Sequence, residues 1–110
     1  MRYLRLKKAK KITQVLKTGK RLRSETLSIV YVPAEATSMA VCVGKKYGSS
    51  VQRNKLKRLL REAFRASGEL KTPCAVLLIP KVAESYSFHA FRRDISRMLG
   101  KEKLIENATS

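Results

Sequence analysis

The amino-acid sequence predicts a single α+β domain, an α/β sandwich in which helices cover a small mixed β-sheet. The length of 110 residues is enough for one hydrophobic core but too short for two. Hydrophobic residues make up 44% of the chain, which excludes a disordered basic tail. Periodic patterns follow one another in the order helix, strand, strand, helix, strand, helix, without an internal repeat or a linker. Helices and strands that alternate in this way pack as layers around one core.

The first half of the chain predicts one helix and two strands. Apolar residues at i, i+3 and i+4, namely Ile12, Val15 and Leu16, predict a helix over residues 9–18 that ends at Gly19. The β-branched run over residues 26–32 predicts a strand. After a loop over residues 33–38, a second strand over 39–44 is expected to run antiparallel to the first, through that short connection.

The second half predicts a long helix, a strand and a final helix. Ser49 or Ser50 can cap a helix that continues to residue 66. The apolar run over residues 75–79, closed by Pro80, suits a buried strand. The last helix is expected over residues 86–99, with Gly100 as its end. The ordered core is therefore expected over residues 4–100, and residues 101–110 are expected to fray apart from a contact at residues 104–105.

Charge points to a polyanionic partner. The chain has 25 basic and 8 acidic residues, a net charge of +17 and a pI near 10.5. Such a balance indicates nucleic acid or an anionic membrane surface. No apolar run approaches the ~18 residues of a membrane span, and the first residues lack the apolar stretch of a signal peptide. We therefore expect a cytoplasmic protein that binds nucleic acid and not a membrane.

The long helix concentrates this charge. Residues 44–65 hold eight basic residues and one acid, Glu62. At 100° per residue, a basic arc about 140° wide forms on the helix, and a second arc of similar width is apolar. Like charges at i, i+4 spacing destabilise a helix by a few tenths of a kcal/mol per pair, so a polyanion would relieve them. The basic arc contains Arg53, Asn54, Lys57, Arg58, Arg61 and Arg65, and the apolar arc contains Leu56, Leu59, Leu60, Ala63 and Phe64.

No catalytic or metal site is visible in the sequence. The eight acids are scattered, with no two closer than four residues, whereas two-metal nucleases cluster their carboxylates. Cys42 and Cys74 are expected to be free buried thiols, and together with the single histidine, His89, they are too few to hold zinc. Gly44 and Gly48 are too close for a phosphate-binding Walker loop and predict a strand-to-helix turn.

The segment over residues 41–64 resembles the signature of the bacterial ribonuclease P protein family. Its central residues are the pair Arg53-Asn54, the pair Lys57-Arg58, and Arg61, with Lys55 where the family motif has arginine. Residues 6–19 resemble the family's first helix and residues 74–80 its third strand. The resemblance covers most of residues 4–100.

This resemblance implies a subunit of a ribonucleoprotein endonuclease that removes the 5′ leader of precursor tRNA. In that family the RNA subunit performs the hydrolysis with Mg²⁺, so Mg²⁺ is expected on the catalytic RNA and no cofactor is expected on the protein. The implied partners are the catalytic RNA and precursor tRNA, and no obligate protein partner is evident. The fold implied includes a left-handed crossover, against the usual right-handed rule.

The resemblance also assigns roles to residues. Lys46, Arg53, Asn54 and Arg58 match positions that face the catalytic RNA, while Lys57 and Arg61 match positions nearer the leader. Asn54 adds no charge, but its amide can donate to and accept from a base edge or a 2′-hydroxyl. The full set expected to bind RNA is Lys45, Lys46, Arg53, Asn54, Lys55, Lys57, Arg58, Arg61 and Arg65.

The expected leader cleft departs from the family pattern. Ile12, Leu16 and Val30 stand where the family often has aromatic rings, and they join Lys57 and Arg61 as predicted cleft residues. Stacking on a ring is worth about 1–3 kcal/mol per base, and aliphatic side chains cannot supply it. The two cations are therefore expected to carry a larger share of leader affinity.

Two other classes of function fit parts of the sequence. A basic structural RNA-binding protein of the ribosomal-protein type would share the charge and the lack of an active site. A self-sufficient nuclease is disfavoured by the scattered carboxylates. The arrangement from Arg53 to Arg61 in a strand-turn-helix context favours the ribonuclease P interpretation.

Overall fold

A five-stranded mixed sheet and three helices form the protein, as seen in a computed structural model that describes residues 3–6 and 8–105. The strands lie in the order β1-β4-β5-β3-β2. The predicted α+β sandwich is confirmed. The elements in chain order are β1 (Leu4–Arg5), α1 (Ala9–Thr18), β2 (Lys20–Arg23), β3 (Leu27–Pro33), β4 (Ser38–Val41), a short 3₁₀ helix (Lys45–Tyr47), α2 (Ser50–Ala66), β5 (Cys74–Pro80) and α3 (Phe88–Lys101).

The prediction missed two strands, β1 and β2. Strand β1 has two residues, both exposed, and β2 has Leu22 as its single apolar residue. Neither segment has the alternating pattern that would predict a strand. Each is a strand because it pairs with a neighbour, β1 with β4 and β2 with β3. The order α-β-β-α-β-α is therefore corrected to β-α-β-β-β-α-β-α.

The middle of the sheet also differs from expectation. Strands β3 and β4 run antiparallel, as predicted, but their short connection does not make them neighbours, because β5 lies between them. Strand β5 runs antiparallel to β3 and parallel to β4. Its run of apolar residues is buried almost throughout, as suits the central strand of a sheet covered on both faces. The connection from β4 through α2 to β5 is the crossover whose left-handedness stays a prediction.

Hydrophobic side chains form two clusters, one on each face of the sheet. Helices α2 and α3 pack side by side on one face, over residues such as Ile29, Val76 and Leu78. Helix α1 covers the other face, where Val15 packs against Val30, Ala75 and Leu77. In the described ranges, no helix is long and apolar enough to cross a membrane.

Helix α1 has the predicted bounds, but Gly19 ends it for a reason that the sequence did not show. Gly19 has an ordinary φ of −76°, so no left-handed backbone requires glycine there. A Cβ at this position would lie 2.6 Å from Cγ1 of Val30 and 3.0 Å from the carbonyl oxygen of Tyr31. The chain therefore needs glycine because the helix end touches the sheet.

Helix α2 begins with a capping box. The Ser49 hydroxyl accepts from the amide of Gln52 at 3.2 Å, and the Ser49 amide donates to Oε1 of Gln52 at 2.8 Å. Gly48 precedes the cap with φ +116°, and a Cβ there would clash with the Gln52 side chain. The predicted turn between Gly44 and Gly48 is confirmed as the 3₁₀ segment, anchored by Tyr47, which donates to the Pro80 carbonyl.

The end of α3 was predicted wrongly. Gly100 lies within the helix, which continues to Lys101, and the next residues fold back instead of fraying. Ile105 is 5% exposed and forms a β-bridge with Leu70, which confirms the predicted contact at residues 104–105. Residues 101–105 therefore belong to the ordered core, and the predicted fraying of residues 106–110 lies outside the described residues.

Candidate nucleic-acid interface

Helix α2 presents its basic arc to solvent and its apolar arc to the core. Leu56, Leu60, Ala63 and Phe64 are buried, and Leu59 is half-buried. On the other side, Asn54, Arg58 and Arg65 are exposed, whereas Arg53, Lys57 and Arg61 are half-buried at the border. We call these six residues the α2 basic face. The predicted orientation of the helix is confirmed.

Arg5 of β1 adds to the α2 basic face, and sequence reasoning missed it. A shallow pocket of about 410 Å³ lies between the first strand and the helix. The strand reaches this position because Tyr3 packs edge-on against Phe64, with ring centroids 5.5 Å apart, and Arg5 pairs with Met39. A two-residue edge strand gives no periodic signal that could have placed Arg5 here. The pocket is lined by Arg5, Asn54, Lys57, Arg58, Arg61, Glu62 and Arg65.

Arg53 forms a hydrogen bond within the first turn of α2. Its Nη2 donates to the Ser50 hydroxyl at 3.2 Å, and its Nε is buried without a hydrogen-bond partner. Its angular position overlaps the edge of the apolar arc beside Phe64, which explains the half-burial. Arg58, by contrast, is exposed. A docking partner can therefore reach Arg58 more freely than Arg53.

The predicted lysines outside the basic arc lie apart from the pocket. Lys45 and Lys46 are exposed in the 3₁₀ segment, with Nζ of Lys46 at 5.4 Å from the ring centroid of Tyr47. Lys55 lines a different pocket, together with Tyr47 and Tyr86. The structure thus separates Lys55 from the α2 basic face.

The predicted leader-cleft residues lie on two faces of the sheet. Ile12 is half-buried and Leu16 is 40% exposed, both on α1, whereas Lys57 and Arg61 belong to α2 on the opposite face. Val30 is 1% exposed and packs in the core beneath α1, so among the three aliphatic residues only Ile12 and Leu16 present surface. Their role towards a leader stays a prediction.

Tyr31, the neighbour of Val30 in β3, is a ring on the other side of the sheet and does not reach the α1 groove. It packs in the cluster on the α2 and α3 side, away from the face of Val30. Its hydroxyl donates to Oε1 of Glu102 at 2.7 Å. Burial, together with this hydrogen bond, raises the pKa of Tyr31 to about 12.

A groove of about 780 Å³ runs beside α1, and no pattern in the sequence predicts it. Its floor is apolar, with Val15, Val32 and Ala75, and its rim includes the cations Lys8 and Lys11. Arg5 lines both this groove and the α2 pocket. A strip of positive charge therefore connects the basic helix to α1 around the β1 edge.

Four ionisable groups away from these surfaces have partners within the protein or are at least half-buried. Cys42 and Cys74 are free thiols, as predicted, with Cys74 buried and Cys42 half-buried, and burial raises the pKa of both. Asp94 and Glu102 accept hydrogen bonds within the protein. Among residues 3–6 and 8–105, no group of three or more His, Cys, Asp or Glu side chains could hold a metal ion.

The fold is a mixed sheet covered by helices on both sides, and the α2 basic face lies on its surface. Together these features define a small, strongly basic α+β protein with a surface suited to a polyanion. The sequence model of the family described as Ribonuclease P matches residues 1–103. The chain belongs to the ribonuclease P protein family.

Several relatives carry the name ribonuclease P protein component. The one from Caldanaerobacter subterraneus is 33% identical over 107 residues, covering 93% of this chain and 91% of the relative. The one from Thermus brockianus is 36% identical over 93 residues, covering 84% of this chain and 57% of the relative. The match thus spans little more than half the length of the Thermus protein.

Solved structures share the fold. The ribonuclease P protein of Staphylococcus aureus superposes with a TM-score of 0.79 at 20% identity, covering 96% of this chain and all of that one. The protein from Thermotoga maritima gives a TM-score of 0.73 at 24% identity, covering 92% of this chain and 97% of that one. At these identities the likeness establishes the architecture.

Proposed function

We propose that this protein is the protein subunit of a bacterial ribonuclease P, which binds the catalytic RNA and the 5′ leader of precursor tRNA. The observation that carries the proposal is the α2 basic face, a dense cationic surface on a helix whose other side is firmly buried. Membership of the family supports the identity of the RNA partner. In this proposal hydrolysis belongs to the RNA and its Mg²⁺, and the protein positions RNA.

Within that function, the exposed part of the α2 basic face would dock on the catalytic RNA. Arg58 and Asn54 are exposed and offer donors that match phosphate oxygens, 2′-hydroxyls and base edges. Lys57 and Arg61 are half-buried towards the sheet and share a pocket with Arg5. These three cations lie where a single strand could pass from α2 towards the α1 groove.

The leader would then follow the strip of charge that Arg5 continues. The α1 groove combines an apolar floor with cations at its rim, which suits a strand that presents both bases and phosphates. Because Ile12 and Leu16 offer no ring for stacking, leader affinity depends more on Lys57 and Arg61. This is the physical basis for a test that separates the two roles of one helix.

The test changes Lys57 and Arg61 to alanine together and compares precursor tRNA with mature tRNA, which has no leader. We expect the double variant, assembled with a bacterial ribonuclease P RNA, to bind precursor tRNA more weakly and mature tRNA as before. The measurement is the ratio of the two dissociation constants at fixed salt and Mg²⁺. An unchanged ratio would show that these residues do not read the leader.

A matched variant asks whether stacking can replace charge. Leu16 is 40% exposed, so Leu16→Phe would place a ring at the surface of α1. In the double-variant background we expect part of the lost precursor affinity to return. The exposed Lys10 on the same helix supplies a control, since Lys10→Ala should leave the ratio unchanged.

The alternative, a structural RNA-binding protein of the ribosomal type, predicts a different RNA partner. Purification of the protein from cells should recover one stable RNA of the ribonuclease P type under the proposal and ribosomal RNA under the alternative. Cleavage of precursor tRNA should require that RNA. Cleavage by the protein alone would instead revive the self-sufficient nuclease.

A further inference from the structure

A second basic surface lies at the edge of the sheet opposite β1. It combines exposed arginines of strand β2 with exposed cations near the end of α3, and neither group belongs to the residues identified from the sequence. These residues line a cleft of about 370 Å³ between the strand and the helix. We define the β2–α3 edge as Arg21, Arg23, Arg97 and Lys101.

Two of the three carboxylates that line the cleft of this edge are already engaged. Asp94 accepts from the hydroxyl of Thr26 at 2.7 Å and from Nε of Arg93 at 3.1 Å. Glu102 accepts from Tyr31 and pairs with Nζ of Lys20 at 2.6 Å. Glu25 is the remaining acid of the cleft lining.

The four cations of the edge therefore keep their charge available. In the part of the chain that the structure describes, none of them forms an ion pair. Two of them lie on a strand and two on a helix, so the surface does not depend on one flexible segment. Positive charge that the protein leaves uncompensated at a defined position favours an anionic partner.

The β2–α3 edge is separated from the α2 basic face by the width of the sheet. Strands β1 and β2 are its two edges, and four strand spacings of ~4.8 Å place them roughly 19 Å apart. Helix α2 contacts β4 on one side of the sheet centre, whereas α3 contacts β3 on the other. An RNA segment bound at the α2 basic face would have to cross the sheet to reach the edge, so the edge suits a separate segment.

The chemistry of the edge fits phosphates better than bases. Its cleft is lined by the four cations, by the acids Glu25, Asp94 and Glu102 and by Ser24, with Leu22 and Met98 as the apolar members and no aromatic ring for stacking. Arginine and lysine contacts to phosphates position a nucleic acid without reading its sequence. Base-paired RNA is recognised mainly through its backbone in this manner.

We infer that the β2–α3 edge binds the phosphate backbone of a second, base-paired RNA segment, so that the protein holds two RNA segments at opposite edges of its sheet. The inference rests on the proposed function, which supplies RNA as the polyanion. The inference adds a second docking surface and a bridging role to that function. Either addition can be wrong while the proposed function remains correct.

The experiment neutralises the edge in two independent pairs, Arg21→Gln with Arg23→Gln, and Arg97→Gln with Lys101→Gln. The control, Lys10→Gln with Lys17→Gln, removes the same charge from exposed positions of α1. Affinity for a bacterial ribonuclease P RNA is measured as a function of salt, after thermal unfolding has shown that each variant folds. We expect each edge pair to weaken binding and to reduce the slope of log K against log salt by about 1.5, and the control to leave the slope unchanged.

A second measurement isolates the edge from the α2 basic face. A variant with Lys57→Gln, Arg58→Gln and Arg61→Gln should still bind a short RNA duplex, and adding Arg97→Gln with Lys101→Gln should abolish that binding. If the edge pairs behave like the control while the α2 triple variant loses affinity for ribonuclease P RNA, the inference is overturned and the proposed function stands. If the α2 triple variant keeps full affinity as well, the proposed function fails too.

Discussion

At the scale of single residues, two carboxylates connect α3 to the part of the sheet formed by β2 and β3. Asp94 is buried, which opposes its ionisation, but hydrogen bonds from Thr26 and Arg93 outweigh burial and lower its pKa. Hydrogen bonds from Lys20 and Tyr31 lower the pKa of Glu102. These two acids are therefore structural, although both also line the cleft of the β2–α3 edge.

Replacing Asp94 by asparagine tests this role through the pH dependence of stability. A carboxyl whose pKa is lowered by folding stabilises the protein above its unfolded pKa of about 3.9, and that contribution is lost as pH falls through the folded value. We expect Asp94→Asn to lower the free energy of unfolding by about 1–3 kcal/mol at neutral pH. The difference from the unmodified protein should shrink as the solution is acidified below about pH 4.

Denaturant unfolding at a series of pH values measures both effects. Glu35→Gln is the matched control, because Glu35 is an exposed carboxylate in the loop between β3 and β4. A stability loss for Asp94→Asn that stays the same at every pH would contradict a role that depends on the charged form.

At the scale of elements, α2 combines a stabilising face and a binding face. Leu60 is fully buried among α3 and the sheet, while Arg58 is exposed on the opposite side. The two faces therefore act through different forces. The apolar face stabilises the fold by hydrophobic burial, and the basic face attracts RNA by its charge. Substitutions on them should separate stability from RNA affinity.

We expect Leu60→Ala to cost about 2–5 kcal/mol of stability, since it removes a buried side chain and leaves a cavity. Arg58→Ala should change stability by no more than about 0.5 kcal/mol, as exposed substitutions do, but it should weaken binding to ribonuclease P RNA. Thermal unfolding and RNA titration of both variants measure the two properties side by side. Swapped results would mean that the helix is turned the other way.

At the scale of the whole molecule, the excess of positive charge makes RNA binding sensitive to salt. Each neutralised phosphate contributes about 0.7–0.9 to the slope of log K against log salt. With roughly six to eight phosphates contacted, we expect a slope between about −4 and −7 for the unmodified protein. Titration of ribonuclease P RNA at several salt concentrations gives this slope, and a value near −1 would contradict extensive phosphate contact.

Much of the fold could be predicted from the sequence because its signals are local. The bounds of α1 and a serine cap for α2, at Ser49 or Ser50, follow from residues within one or two turns, and the structure selects Ser49. The orientation of α2 follows from its own periodicity, and with it the position of Arg58 on the surface. These features need no information about distant parts of the chain.

The remaining features depend on which segments meet in space. The sequence alone determined a basic α+β protein with a cationic helix, since composition and periodicity are properties of the chain itself. Only the tertiary structure decided that β5 lies between β3 and β4, that Arg5 joins the α2 basic face, and that Leu70 is the bridge partner of Ile105. Strand pairing of this kind depends on burial and hydrogen bonding between residues far apart in sequence, and a local sequence pattern cannot predict it.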